Sequence, residues 1–170
     1  MRLPKIFEVL IITLSDRAYR GEYADASGQR VNELTEEFFS SMKRECKIKR
    51  ELIPDDAGML RKLINDSADR FHIIFTTGGT GIGPRDITIE TIKPLLTKEI
   101  PGVMEYIRFK YGIEKPAALL SGSVAGVIGK TLIYTLPGSV KAVNEYMAEI
   151  LRTLEHTFQM LYSIDTHEVT

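Results

Sequence analysis

At 170 residues, with 44% hydrophobic and 26% charged side chains, the chain fits one globular domain with a single substantial core. A formal net charge of −1 gives no electrostatic case for binding nucleic acid or an anionic membrane. The one cysteine, Cys46, excludes an internal disulfide or a cysteine metal cluster within the chain. No secretory signal or membrane-length apolar run is visible, so a soluble cytoplasmic domain is expected.

Taken in chain order, Lys5 to Leu14 reads as a strand buried on both faces, because VLIITL does not alternate with polar residues. Ser15 to Ser27 is polar, contains Gly21 and reads as loop. From Gly28 to about Met42, Val31, Leu34, Phe38, Phe39 and Met42 recur at helical spacing, with Ser27 or Asp25 as a cap. Lys47 to Ile53 alternates as a second strand, and Cys46 beside it reads as inert. Leu60, Leu63 and Ile64 mark a second helix. Phe71 to Thr76 is a third buried strand. Short helical stretches are expected near Ile89 to Leu96 and Val103 to Lys110. Ala117 to Tyr134 holds short apolar segments broken by glycine, with room for a hairpin. Thr131 to Leu136 is a strand stopped by Pro137–Gly138. A long amphipathic helix follows, its core stripe formed by Val143, Met147, Ile150, Leu151, Leu154, Phe158 and Leu161. The alternation of strands and helices predicts an α/β fold: a single three-layer domain, with helices on both faces of a mostly parallel sheet. The domain is expected to span residues 1–163, and 164–170 to form a flexible tail.

Ligands of open α/β sheets sit beyond the C-terminal ends of the strands. Four segments meet that rule: Ser15–Asp16–Arg17, Pro54–Asp55–Asp56, the run TTGGTGIGPRD from Thr76 to Asp86, and Leu136–Pro137–Gly138–Ser139. The glycines at 78, 79, 81 and 83 match neither GxGxxG nor GxxxxGK[ST]. Such a loop, between a strand and a helix start, can still cradle phosphate with its backbone amides. Acidic residues recur in the first three segments. Carboxylates beside phosphate repel it unless a cation intervenes, and one or two carboxylates plus phosphate oxygens make a typical Mg²⁺ site. Each residue also has a plainer role: Asp55 or Asp56 as an N-cap, Asp86 as a cap near Thr88, Asp16–Arg17 as a local pair. His72, His156 and His167 show no triad or metal spacing.

The runs LSDRAYRGEYADASG, IPDD, TTGGTGIGPRDIT, KEIPG and LPGSVKAV occur in the order and approximate spacing of the MogA/MoaB family of molybdenum-cofactor biosynthesis proteins, which the chain resembles from about Val9 to Leu161. The resemblance implies the molybdopterin-binding fold of that family. It also implies a Mg²⁺-dependent adenylyltransferase that moves AMP from ATP to the terminal phosphate of molybdopterin, releasing pyrophosphate. Carried over, the family's functional aspartates fall on Asp55 and Asp86, as catalytic residues and Mg²⁺ ligands. Ser15, Asp16, Arg17, Thr76, Thr77, Gly78, Gly79, Thr80, Gly81, Arg85, Ser121, Pro137 and Gly138 would bind nucleotide or pterin. A homotrimer and a hand-over to a molybdenumtransferase are further implications. Two alternatives remain at this stage: a pterin-binding module without catalysis, and a nucleotide pyrophosphatase using the same pocket. Two positions depart from the family pattern. Gly122 stands where Arg is expected, leaving Lys130 and Lys141 as candidate replacement cations, and Thr135 replaces the usual Asn.

Overall fold

The computed structural model describes residues 2–163, so the expected tail at 164–170 lies outside the described residues. The polypeptide runs β1 (Ile6–Leu14), α1 (Asp16–Tyr19), α2 (Ala26–Ser41), β2 (Glu45–Ile53), α3 (Ala57–Ser67), β3 (Ile73–Thr77), α4 (Thr88–Ile92), β4 (Lys98–Glu99), α5 (Pro101–Gly112), β5 (Ala125–Ile128), β6 (Thr131–Leu136) and α6 (Val140–Leu161). Short 3₁₀ turns occupy Lys93–Leu95 and Pro116–Leu120.

The strands form one six-stranded sheet in the order β2-β1-β3-β6-β5-β4. β2, β1, β3 and β6 are mutually parallel, whereas β5 and β4 return antiparallel. The chain leaves β1 toward β2 on one side, then crosses back to place β3 on the other. The strand order therefore reverses between β1 and β3, where open α/β sheets leave a crevice.

Alternation along the central strands divides the core into two layers. Phe7, Val9 and Ile11 of β1 join Ile73 and Phe75 of β3 and Leu132, Tyr134 and Leu136 of β6 under α2, α5 and α6. Leu10, Ile12 and Leu14 point to the opposite face, with Ile74 and Ile133, against Leu60 and Ile64 of α3 and Ile92 of α4. This is the three-layer arrangement expected. The α6 stripe belongs to the core: Val143, Met147, Ile150, Leu154 and Phe158 are buried, with Leu151 and Leu161 packed at its margin. β2 is half-exposed along most of its length, and burial raises the Cys46 thiol pKa above its ordinary value, which favours the inert thiol.

Two local details differ from the sequence reading. The polar segment after β1 is not all loop. Asp16–Tyr19 makes one helical turn, and α2 starts at Ala26. That single turn is too short to show periodicity; it exists because the Ser15 side chain accepts the Ala18 amide. Asp25 caps α2 through the Gly28 amide at 2.8 Å. The KE of KEIPG adds the two-residue strand β4, paired with Val127 and Gly126. No helix among the described residues is long and apolar enough to cross a membrane.

Phe7 lies between Phe39 and Phe158, with ring centroids 4.8 and 4.7 Å away. Phe7→Ala should therefore cost about 3–5 kcal/mol in urea unfolding. A midpoint unchanged from wild type would show that this end of β1 is not part of the cooperative core.

Candidate functional site

A cleft of about 670 Å³ opens at the C-terminal edge of the sheet, over the reversal between β1 and β3. Its floor is set by close passage of three segments. Gly78, with φ 101°, comes so near β1 that a Cβ there would lie 2.3 Å from the Leu14 carbonyl oxygen. Its amide donates to Leu136 O at 3.0 Å, and its carbonyl accepts the Thr88 hydroxyl at 2.8 Å. A Cβ on Gly138 would in turn lie 3.3 Å from Gly78 Cα. Carbonyls of the glycine loop are committed inward, Gly79 O to Thr88 N and Thr80 O to Gly122 N. The amides of Gly79, Thr80 and Gly81 have no acceptor among the described residues, and all three residues line the cleft.

On the β1 side, Asp16 and Asp55 clasp one another. The Asp16 amide donates to Asp55 Oδ2 at 3.2 Å, and the Asp55 amide donates to Asp16 Oδ1 at 3.0 Å. Each carboxylate keeps an oxygen outside this pair of bonds. Asp56, not Asp55, caps α3, through the Met59 amide, so Asp55 is released from the plainer role. Asp86 is not a helix cap either. α4 starts at Thr88 after the N-cap Ile87, without a side-chain cap, and Asp86 instead closes the glycine loop by accepting the Gly83 amide at 2.9 Å. Asp55 is half-buried. Burial pushes its carboxyl pKa up, the amide of Asp16 opposes this, and the Asp16 and Asp86 charges push it further up against the pull of Arg85. The cleft is thus a concentration of carboxylate beside unpaired amides.

The sequence profile of a probable molybdopterin binding domain matches residues 10–156 of this chain. The chain belongs to this family. It is 35% identical over 160 residues to gephyrin of Dictyostelium discoideum, covering 90% of this chain but only 22% of that protein. Of the cinnamon molybdenum cofactor synthesis protein of Drosophila melanogaster it likewise spans only 25%. It is 30% identical to a molybdopterin adenylyltransferase of Helicobacter pylori, covering 89% of this chain and 85% of that one. Among solved structures it resembles the molybdopterin biosynthesis enzyme MoaB of Thermus thermophilus, with TM-score 0.81, 38% identity and coverage of 92% and 97% of the two chains. The tungsten cofactor synthesizing protein MoaB of Pyrococcus furiosus matches with TM-score 0.78, 35% identity and 94% and 99% coverage.

Within this molybdopterin-binding family fold, most of the residues singled out from the sequence come together. Ser15, Asp16, Arg17, Asp55, Gly78, Gly79, Thr80, Gly81, Arg85, Asp86, Ser121, Pro137 and Gly138 all line the cleft. Thr76 and Thr77 do not. Both are wholly buried in β3 beneath the floor, and Thr77 serves by donating its hydroxyl to Pro137 O at 2.9 Å. Ser121 is tied to the glycine loop through Thr80 Oγ1 at 3.3 Å.

The structure also locates the family departures. Gly122 sits against Ile89, its amide bonded to Thr80 O. Lys130 precedes β6, at the end of that strand away from the cleft. Lys141 stands in the first turn of α6 beside cleft-lining Val140, and proximity to Lys115 lowers its pKa. Behind the loop, Arg108 donates to Ser123 O at 2.8 Å and Ser121 O at 3.4 Å. Thr135, in place of Asn, is buried and bonded to Val124 at both its amide and carbonyl, so it joins β6 to the segment before β5.

Sequence reasoning gives Asp25 only a capping role. Its carboxylate also accepts the Thr13 hydroxyl at 2.9 Å and pairs with Arg50 of β2 at 2.7 Å, fixing α2 to the β1 end of the cleft. The signal is spread over residues 13, 25 and 50 and has no local pattern. Tyr23, also on the cleft wall, carries no sequence signal of its own.

Gly78→Ala should destabilise by at least about 2 kcal/mol in denaturant titration, since positive φ and a rigid carbonyl both oppose it; a cost near zero would contradict this close passage. The Asp55 carboxyl holds its proton more tightly folded than unfolded, so it detracts from stability as pH rises through its ordinary value. Without divalent cations, Asp55→Asn should melt above wild type at pH 7, and the two should converge near pH 4. Equal midpoints at pH 7 would contradict this account of Asp55.

Proposed function

We propose that the chain transfers AMP from ATP to the terminal phosphate of molybdopterin in molybdenum cofactor biosynthesis. The observation that carries this reading is the meeting of Asp55, Asp86 and the Gly79–Gly81 amides in one cleft. A phosphate oxygen of molybdopterin attacks the α-phosphorus of ATP. The bond from that phosphorus to the bridging oxygen breaks, and pyrophosphate leaves. A phosphate is already largely ionised near neutral pH, so no strong general base is required. In-line displacement of this kind depends on alignment and charge neutralisation.

Mg²⁺ suits the donor set. Asp55 and Asp86 offer hard oxygen ligands, and the Asp16 and Asp86 charges that add to the burial of Asp55 are ones a cation would offset. Among the described residues no three acidic, His or Cys side chains are grouped to enclose a metal. The metal would be held by these two carboxylates and completed by substrate phosphates. Bound there, Mg²⁺ would supply charge neutralisation to the transferring adenylyl group. The chain's own residues do the rest. Gly79, Thr80 and Gly81 amides hold phosphate oxygens, Asp16 keeps Asp55 in place, and Asp86 holds the loop closed. Arg85 adds positive charge at the rim. The same reading extends to a cytoplasmic homotrimer that passes its adenylylated product to a molybdenumtransferase; a monomer in sedimentation would overturn the trimer.

A second reading, pterin binding without catalysis, is favoured by Gly122, which leaves the cleft without the cation expected there. Pyrophosphate release separates the two. It should require both ATP and molybdopterin and fall at least about a hundredfold in Asp55→Asn and Asp86→Asn. Wild-type rates in both variants would refute the metal role. Tight pterin binding with no ATP-dependent pyrophosphate would establish the second reading.

A further inference from the structure

Tyr23 is the only aromatic side chain among the described residues lining the cleft. It is 47% exposed, yet it is held at two points. Its hydroxyl lies 2.8 Å from Ser15 Oγ, and the Arg17 guanidinium lies over its ring, 5.0 Å from the centroid. Arg17 is itself braced by Glu22 at 3.1 Å. Surface tyrosines are ordinarily free to turn. A ring already fixed loses little side-chain freedom when a ligand packs on it.

The wall across the β6 side is different: Ala117, Leu120 and Val140 are aliphatic. Between the walls run the unpaired amides of the glycine loop. The loops after β1 and β6 flank the loop after β3, so the two walls stand on opposite sides of the phosphate position. A flat heterocycle gains dispersion and quadrupole attraction on a tyrosine face that aliphatic groups cannot match, and the guanidinium over Tyr23 helps hold that ring in place.

We propose that Tyr23, braced by Ser15 and Arg17, is a stacking platform for the fused nitrogen heterocycle of a phosphorylated ligand, purine or pterin, at the β1 wall. The proposal rests on the nucleotide and pterin reading of the cleft. It adds that one of the two rings is gripped by a residue other than the carboxylates.

Calorimetric titration with AMP, a pterin monophosphate and inorganic pyrophosphate tests it on the whole chain, with Tyr23→Ala and Tyr23→Phe. Tyr23→Ala should weaken one ring-bearing probe about tenfold and leave pyrophosphate unchanged. Tyr23→Phe keeps the ring and should stay within about threefold of wild type. The probe that loses affinity identifies the ring. Unchanged affinity of Tyr23→Ala for both ring probes would overturn the platform while leaving the cleft's function intact. An equal loss for pyrophosphate would also overturn it, because Tyr23 would then only be shaping the loop. If wild type binds none of the three probes, the nucleotide and pterin reading itself fails.

Discussion

The site exists because three chain segments pass within van der Waals limits at the ends of β1, β3 and β6. Gly78 is at the centre of that crossing. It has no space for a side chain against Leu14, it hydrogen-bonds Leu136, and it abuts Gly138. At the crossing the carbonyls of Gly78, Gly79 and Thr80 are bonded to the protein, while the amides of Gly79, Thr80 and Gly81 have no acceptor among the described residues. Thr88 and Gly122 complete the turn by binding loop carbonyls from two other directions. Any widening of the crossing would break the bonds that hold those carbonyls.

Charge is the second organising term. Asp16 and Asp55 gather two carboxylates at one sheet edge by trading backbone bonds, and Asp86 approaches from the loop. Alone this arrangement is unfavourable: burial raises the Asp55 pKa, and the Asp16 and Asp86 charges raise it further. It is tolerable because backbone amides and Arg85 offset part of the repulsion, and because loop closure through Asp86 is stabilising in itself. Asp25 shows the contrasting solution: a nearly buried carboxylate fully engaged by Thr13, Gly28 and Arg50. Of the neighbouring acids, one is satisfied and structural, and the others are left with oxygens to spare.

Much of this was legible in the sequence, for identifiable reasons. VLIITL and IIFTT are apolar without alternation because both faces of β1 and β3 are covered. The α6 stripe was readable because one face of a long helix meets the sheet. The glycine-rich loop stood out because glycine is disfavoured unless backbone must approach backbone. What escaped was either too short or too dispersed. α1 is a single turn held by a side-chain cap, and β4 is two residues defined only by its partner strand. Asp55 and Asp56 differ in role only because one of them reaches the α3 amides. Thr76 and Thr77 sit next to the loop in sequence, but strand geometry points them into the core. Tyr23 acquires its place only once Ser15 and Arg17 are brought against it.

The parallel order of β1, β3 and β6 has a consequence for how the molecule is made. Phe75 pairs beside Tyr134, partners far apart in sequence, and the Leu136–Gly78 bond that finishes the cleft floor needs that pairing first. Closing so long a loop costs entropy before any contact repays it, so this register belongs to the late, slow part of folding. The cleft floor is therefore incomplete until β6 has docked. Any ligand that binds only the finished crossing would add its binding energy to the stability of the whole sheet.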